Sequence, residues 1–353
     1  VAGTYRVTVE PLGKEVECAE DQPILEACLR AGVWLPHSCT HGTCGTCKAE
    51  VLDGDVDHGA ASSFALLDFE RDEGKALLCC AMPRSDVTIE GDVDAEEGVV
   101  FHPVRDFVGT VTVLEDVAVD TRRLVLELDQ EIDFNPGQYV QVTVPGKDVV
   151  RTYSIASPPS QRNSIELHIR RTPGGLASDG WIFATLAEGD RVNLAGPYGN
   201  FFLREEREEP AVLIAGGTGL APMKSMIRHV LEGDCDRTIT LYQGARTVDH
   251  LYDQEFFTAL AERHPDRFVY RPCLSEEDRE GYLAGTVLDV LDRDKPTLSG
   301  HVGYLCGPPA MVEAAMRVLM GKRLFPRDIY REDFLDEAAK AAGTGVRSPL
   351  LKR

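Results

Sequence analysis

No stretch of the 353-residue chain comes near the roughly 18 consecutive apolar residues that a membrane-spanning helix needs. Positive charge is scarce: 37 Lys and Arg face 58 Asp and Glu, a net charge of −21 that argues against nucleic acid as a partner. The opening Val1–Val7 lacks the basic stretch and apolar core of a secretory leader and reads as a strand. The expectation is therefore a cytoplasmic protein in a reducing environment, where clustered cysteines serve metals or catalysis rather than disulfides. No internal repeat, Ser–His–Asp arrangement or metal-hydrolase constellation is found, and no G-x-G-x-x-G. At this length a single core is exceeded, and two or three domains are expected.

What is present is concentrated in nine residues, Cys39-Thr-His-Gly-Thr-Cys44-Gly-Thr-Cys47, with Cys79 lying 32 residues beyond Cys47. C-x4-C-x2-C followed by a distant cysteine is the plant-type ferredoxin spacing for a [2Fe–2S] cluster. Four thiolates hold two ferric ions and two bridging sulfides, and Gly42 and Gly45 let backbone N–H groups approach the negative sulfur cage. The competing reading is zinc, but structural zinc pairs its ligands as two short C-x2–4-C units, and only Cys44–Cys47 has that form. Cys80 directly follows Cys79 and leaves two candidates for the fourth ligand. Residues 1–98 hold 7 Lys and Arg against 20 Asp and Glu, a net −13 that suits either a basic partner or simple solubility.

Strands are read at Tyr5–Glu10, Glu15–Cys18, Lys48–Leu52, Leu77–Cys80 and Asp86–Glu90. A helix over Ile24–Ala31 is capped by Asp21, and Ser63–Glu70 reads as helical with Phe64, Leu67 and Phe69 partly inward. Gly91–Gly98, charged and aperiodic, reads as a linker. Six short strands between Gly109 and Ala195 indicate a small antiparallel barrel. From about Pro210, strand and helix patterns alternate, indicating a doubly wound sheet with a nucleotide crevice at its strand ends.

The barrel carries Arg151-Thr152-Tyr153-Ser154. Arg neutralises a diphosphate, a Tyr ring stacks on a flat heterocycle, and a hydroxyl bonds a ring nitrogen. His168-Ile169-Arg170 and Gly174-Gly175-Leu176-Ala177-Ser178 follow; the second suits a pyrophosphate at a helix start, or is a plain hairpin turn. Gly216-Gly217-Thr218-Gly219 joins an apolar strand to a helix, and Cys306-Gly307-Pro308 ends a later strand. Cys306 is read either as a residue beside a nicotinamide or as a small buried side chain. No acidic residue immediately follows strand Thr238–Tyr242 to hold a ribose hydroxyl, and Arg246 would tolerate a 2′-phosphate.

In this order these motifs resemble the ferredoxin–NAD(P)H reductase superfamily with a fused N-terminal ferredoxin, over nearly the whole chain. Leu35–Cys47, Asp68–Glu73 and Tyr242–Arg246 resemble the reductase components of soluble di-iron monooxygenases, of the phenol hydroxylase and propane monooxygenase kind. The resemblance implies a β-grasp-like ferredoxin domain (1–97), an antiparallel β-barrel FAD domain (101–205), a doubly wound parallel α/β NAD domain (208–339) and a tail (340–353). It implies a [2Fe–2S] cluster on Cys39, Cys44, Cys47 and Cys79, the last chosen over Cys80 because Pro83 then falls four residues later. FAD would be held by Arg151, Thr152, Tyr153, Ser154, His168, Ile169, Arg170, Gly175, Leu176, Ala177 and Ser178. NADH would lie along Gly216–Gly219, Cys306, Gly307 and Pro308. Phe334 resembles the late aromatic that covers the flavin, although 19 residues follow it here. Ser154, Cys306 and Phe334 are the residues implied at the reacting atoms. The resemblance further implies a di-iron hydroxylase as electron acceptor and a chain that is monomeric when free. The rival readings are the reductase of a Rieske-type dioxygenase and a non-enzymatic iron–sulfur sensor.

Overall fold

A computed structural model describes residues 3–91, 98–147, 149–233 and 235–333. Most of the expected linker, the tail and Phe334 lie outside the described residues. The chain divides into two compact units, one formed by 1–105 with 196–200, the other by 106–195 with 201–353.

The first unit contains β1 (Thr4–Glu10), β2 (Lys14–Ala19), α1 (Ile24–Arg30), β3 (Lys48–Asp53), β4 (Val56–Asp57), α2 (Asp68–Asp72), β5 (Lys75–Leu77), β6 (Met82–Pro83) and β7 (Val87–Glu90). Its main sheet runs β2-β1-β7-β3-β5, with β1 and β7 parallel and β1 and β2 antiparallel. Ile24, Leu25, Cys28 and Leu29 of α1 are buried, as their spacing predicts. Two local expectations fail. Pro23, not Asp21, precedes α1, and no side chain caps it. The helix expected over Ser63–Glu70 is confined to α2: the Ala65 and Leu66 N–H groups close a single turn on the Ser62 carbonyl (3.1 and 3.0 Å), and the chain is then extended at Leu67 (φ −70°, ψ 155°) before α2 begins. Phe64, Leu67 and Phe69 are consequently exposed rather than inward.

The second unit begins with β8 (Arg105–Ala118, all but its first residue), β9 (Thr121–Leu128), β10 (Tyr139–Thr143), β11 (Val150–Ser154), β12 (Ser164–Arg170) and β13 (Arg191–Tyr198, all but its last three residues). They form the sheet β11-β10-β13-β8-β9-β12, and an antiparallel bridge between Ile155 and Leu167 joins its two ends into a barrel. Alternation fills the interior: Leu124, Leu126 and Leu128 of β9 and Ile165, Leu167 and Ile169 of β12 are buried in one apolar cluster. The opposite face of β12 carries Glu166, His168 and Arg170.

The remainder comprises β14 (Ala211–Gly216), α3 (Leu220–Glu232), β15 (Ile239–Ala245), α4 (Gln254–Arg263), β16 (Phe268–Leu274), β17 (Leu283–Ala284), α5 (Val287–Asp294), β18 (Val302–Gly307), α6 (Pro309–Gly321) and β19 (Ile329–Asp333). These strands make a parallel sheet ordered β17-β16-β15-β14-β18-β19. All six residues of both β14 and β18 are buried, as strands covered on two faces must be. The chain leaves β14 towards β15 and later returns to its other side at β18. The order therefore reverses between β14 and β18, and ligands of such sheets bind at that point, outside the carboxyl ends of the strands.

Candidate functional site

The cysteine loop is shaped by backbone conformations that side chains disfavour. Thr40, Gly42 and Gly45 have φ of 57°, 81° and 72°. A Cβ on Gly42 would lie 2.6 Å from the Cys80 Sγ and 3.1 Å from the Ala60 carbonyl, so glycine is required there sterically as well. Entry to the loop is fixed by His37, whose buried ring bonds the Leu35 carbonyl through Nδ1 (2.8 Å) and accepts from the Gly199 N–H at Nε2 (3.0 Å). Burial holds this imidazole below its ordinary pKa, in the neutral form that such acceptance needs. The thiols converge: Cys39 contacts both Cys44 and Cys79, and Cys79 contacts Cys47. Cys80 Sγ stands 3.8 Å from Cys79 Sγ and turns towards Gly42. Four convergent thiols beside close-lying backbone are a donor set that fits an iron–sulfur cluster.

In the second unit, Gly216–Gly219 and Cys306–Pro308 meet at the strand reversal. A Cβ on Gly219 would lie 2.2 Å from the Cys306 carbonyl, and one on Gly307 would lie 3.0 Å from the Gly216 carbonyl. Gly217, at φ +55°, is exposed, with nothing within 4 Å of its Cβ position. The two turns thus pack backbone to backbone and leave open space above Gly217. That space belongs to a cavity of about 420 Å³ lined by Gly216, Gly217, Pro308, Arg170, Arg246 and His250, among others. Two guanidinium groups and α3, starting at Leu220, suit a dinucleotide's phosphates. Cys306 is fully buried in the core below, and its side chain does not line the cavity.

β11 places Arg151 and Tyr153 on one face, both partly buried, with Ser154 buried at its end and Thr152 exposed between them. Burial pushes the Tyr153 phenol up to about 12. Ile169 and Ala177 are buried, so only their backbone is open to a ligand, while Leu176 is exposed. The Ser178 hydroxyl accepts from the Thr172 N–H at 3.0 Å and closes the turn around Gly175. The segment Ser178–Ile182 is one wide helical turn with i to i+5 bonds rather than the start of a regular helix.

His168, expected at the flavin, is enclosed in a buried polar network on the outer face of β12. Its Nε2 lies 2.7 Å from Glu166 Oε1, and its Nδ1 lies 3.0 Å from the Tyr252 hydroxyl. Lys224 of α3 reaches Glu166 (2.8 Å) and Asp253 (2.7 Å), and Arg123 of β9 pairs with the same two carboxylates. Burial holds His168 neutral, below its usual pKa, so its Nε2–H donates to Glu166 and its Nδ1 accepts from Tyr252. Burial would raise the Glu166 carboxyl, but hydrogen bonds from His168 and Lys224 and the charge of Lys224 overcome this and hold it well below its usual range. Glu166, His168 and Asp253 have the spacing of a metal site. Two carboxylates already face two fixed cations there, so an added metal ion would be repelled. Sequence reading missed this network because its members are far apart in the chain and each looks like a surface charge.

Family models match three consecutive stretches: a 2Fe-2S iron-sulfur cluster binding domain at residues 7–84, an oxidoreductase FAD-binding domain at 109–203 and an oxidoreductase NAD-binding domain at 213–317. The chain is 47% identical to the reductase component of phenol 2-monooxygenase from Pseudomonas sp. (strain CF600), with 99% of each chain covered. The chain belongs to the reductase components of multicomponent oxygenases. It is an oxidoreductase of that family, with domains for FAD, NAD and a [2Fe–2S] cluster. It is also 36% identical to the reductase component of propane 2-monooxygenase from Rhodococcus jostii (strain RHA1), covering 96% of this chain and 93% of that one. Among solved structures, an Amycolatopsis cytochrome P450 reductase superposes with a TM-score of 0.88 at 46% identity, covering 94% of this chain and 99% of that one. Among the described residues, no helix is long and apolar enough to cross a membrane.

Proposed function

We propose that this reductase carries electrons from NADH to the hydroxylase component of a soluble di-iron monooxygenase acting on phenol, propane or a similar substrate. The observation that carries the acceptor assignment is the 47% identity, end to end, with a phenol 2-monooxygenase reductase. FAD supplies the conversion between the two-electron chemistry of nicotinamide and the one-electron chemistry of iron–sulfur. The residues do the positioning. Cys39, Cys44, Cys47 and Cys79 hold the cluster. Arg151, Tyr153 and Ser154, with the backbone of 168–170 and 175–178, hold FAD. The backbone of Gly216–Gly219 and Gly307–Pro308 carries the nicotinamide half of NADH; the Arg170 side chain, expected at FAD, lines the same cavity and is reassigned to the phosphates of NADH. The domain division at 97, 101–205 and 208–339, a monomeric free form and a cytoplasmic setting belong to the same reading.

The preference for NADH rests on the family resemblance, since Arg246 and His250 line the cavity and would accept an extra phosphate. Comparing kcat/KM for the two nucleotides tests it, and a preference for NADPH overturns it. A cytochrome P450 as acceptor is the second reading, favoured by the 46% identity with the Amycolatopsis reductase. Purified protein loaded with cluster and FAD, given NADH, is mixed with a phenol-type di-iron hydroxylase or with a P450. Product formed with the first supports the proposal, and turnover confined to the second replaces it.

A further inference from the structure

The first unit leaves three large apolar side chains exposed within six residues. Phe64 is 62% exposed, Leu67 42% and Phe69 58%. Scattered exposed apolar residues are ordinary, but a cluster of aromatic and aliphatic side chains on one short segment marks a contact surface.

This segment is fastened to the cysteine loop. Both the N–H and the hydroxyl of Ser62 donate to the Gly42 carbonyl, at 3.1 and 2.9 Å. Lys48, the residue after Cys47, is bound by both Glu70 carboxylate oxygens at 2.6 and 2.7 Å, and Glu70 also accepts from the Leu67 N–H. Arg71 donates to the Ala61 carbonyl at 3.0 Å. The backbone that carries these side chains is thus tied to the cysteine loop at Gly42 and Lys48, at little entropic cost to a partner.

The charge left uncompensated here is acidic. Lys48 and Arg71 are engaged in these internal bonds and Lys75 pairs with Glu73 at 3.2 Å, whereas Asp68 and Asp72 are exposed beside the apolar residues. An apolar centre with aromatic members and a charged rim is the anatomy of a protein docking site.

We propose that Phe64, Leu67 and Phe69 form the centre of the docking surface for the electron-accepting protein, whose matching face has an apolar recess rimmed by Lys and Arg. The proposal rests on the reading that electrons leave this chain at the cluster for a separate hydroxylase. The acidic rim steers the encounter, and the apolar centre sets the lifetime of the complex.

The test uses the full-length protein loaded with cluster and FAD, and a purified phenol-type di-iron hydroxylase. Phe64→Ala/Phe69→Ala is expected to raise the KM for the hydroxylase at least tenfold, while iron content, NADH-dependent ferricyanide reduction and the NADH-driven bleaching of the cluster stay at wild-type levels. Asp68→Asn/Asp72→Asn is expected to lower the association rate and flatten its dependence on salt. The proposal is overturned if the Phe variant keeps a wild-type KM, if it alters self-association instead, or if only bleaching of its own cluster slows. Should the Phe variant lose iron, Phe69→Ser and the Asp variant are read in its place, and wild-type KM in both overturns the proposal. A wild-type protein that transfers nothing to the hydroxylase would instead refute the proposed function.

Discussion

Replacing Lys224 with Met removes one charge from the buried network and keeps most of the side chain's volume. Side-chain exposure is 6% for Lys224, 5% for Asp253 and 14% for Glu166, so solvent cannot replace the lost ammonium. Removing one partner from a buried pair costs about 3–5 kcal/mol, because the remaining charge stays buried without compensation. Arg123 still faces both carboxylates, which points to the lower end, about 3 kcal/mol. At roughly 2–4 °C per kcal/mol for a body of this size, the unfolding midpoint of the second unit should fall by about 6–12 °C.

The assay is thermal release of FAD, followed by flavin fluorescence at a fixed excess of FAD, which reports on this unit. Lys224→Met/Glu166→Gln removes one charge of each sign and should recover much of the loss, a coupling of about 1–3 kcal/mol. The reasoning is refuted if Lys224→Met shifts the midpoint by less than the equivalent of about 1 kcal/mol, or if the two losses simply add.

Three further outcomes follow from the same geometry. Cys79→Ser should abolish the visible cluster absorbance and most bound iron while Cys80→Ser retains both, and iron analysis giving the reverse would exchange the two ligands. Gly219→Ala forces a Cβ against the Cys306 carbonyl. It should destabilise the nucleotide turn by about 3 kcal/mol and weaken NAD⁺ binding by calorimetry, with the cluster untouched. His168 is held below its ordinary pKa of 6.5, so as pH falls below that value the unfolded chain takes up a proton that the folded chain does not, and stability is lost. His168→Gln should flatten this loss between pH 7 and 5 by up to about 1.4 kcal/mol per pH unit. Urea titrations showing identical pH slopes for the two proteins would mean the imidazole titrates freely. The depressed Glu166 carboxylate contributes across that window and is lost only at much lower pH.

The features legible in the sequence are those whose chemistry is local. Cys39, Cys44 and Cys47 lie on one loop, and Gly216–Gly219 lies on one turn, so spacing and residue type suffice. The fourth thiol is legible only as a choice of two, and the fold separates them by turning Cys79 towards Cys39 and Cys47 and Cys80 towards Gly42. The segment 63–70 misleads because its apolar spacing fits a helix, while the chain makes one turn on the Ser62 carbonyl and is extended at Leu67, so that the helix begins only at Asp68. Glu166, Lys224 and Asp253 stay hidden because isolated charges read as solvent-exposed. Only tertiary packing, across separations of 58 and 29 residues, shows them neutralising one another.

The alternation of one strand connects that hidden network to the nucleotide cavity. On β12, Ile165, Leu167 and Ile169 point into the barrel, so Glu166, His168 and Arg170 must share its outer face. The first two are consumed by Lys224, Arg123 and Tyr252, and the third is exposed and lines the cavity with Gly216 and Gly217. A slip of one residue would bury charges in the barrel and present apolar side chains to α3, so the barrel core fixes the register of the whole row. The Tyr252 oxygen, 3.4 Å from the Gly217 carbonyl, brings the same row to the nicotinamide turn. Loosening the network should therefore be felt first in how NADH is held, before any effect reaches the cysteine loop.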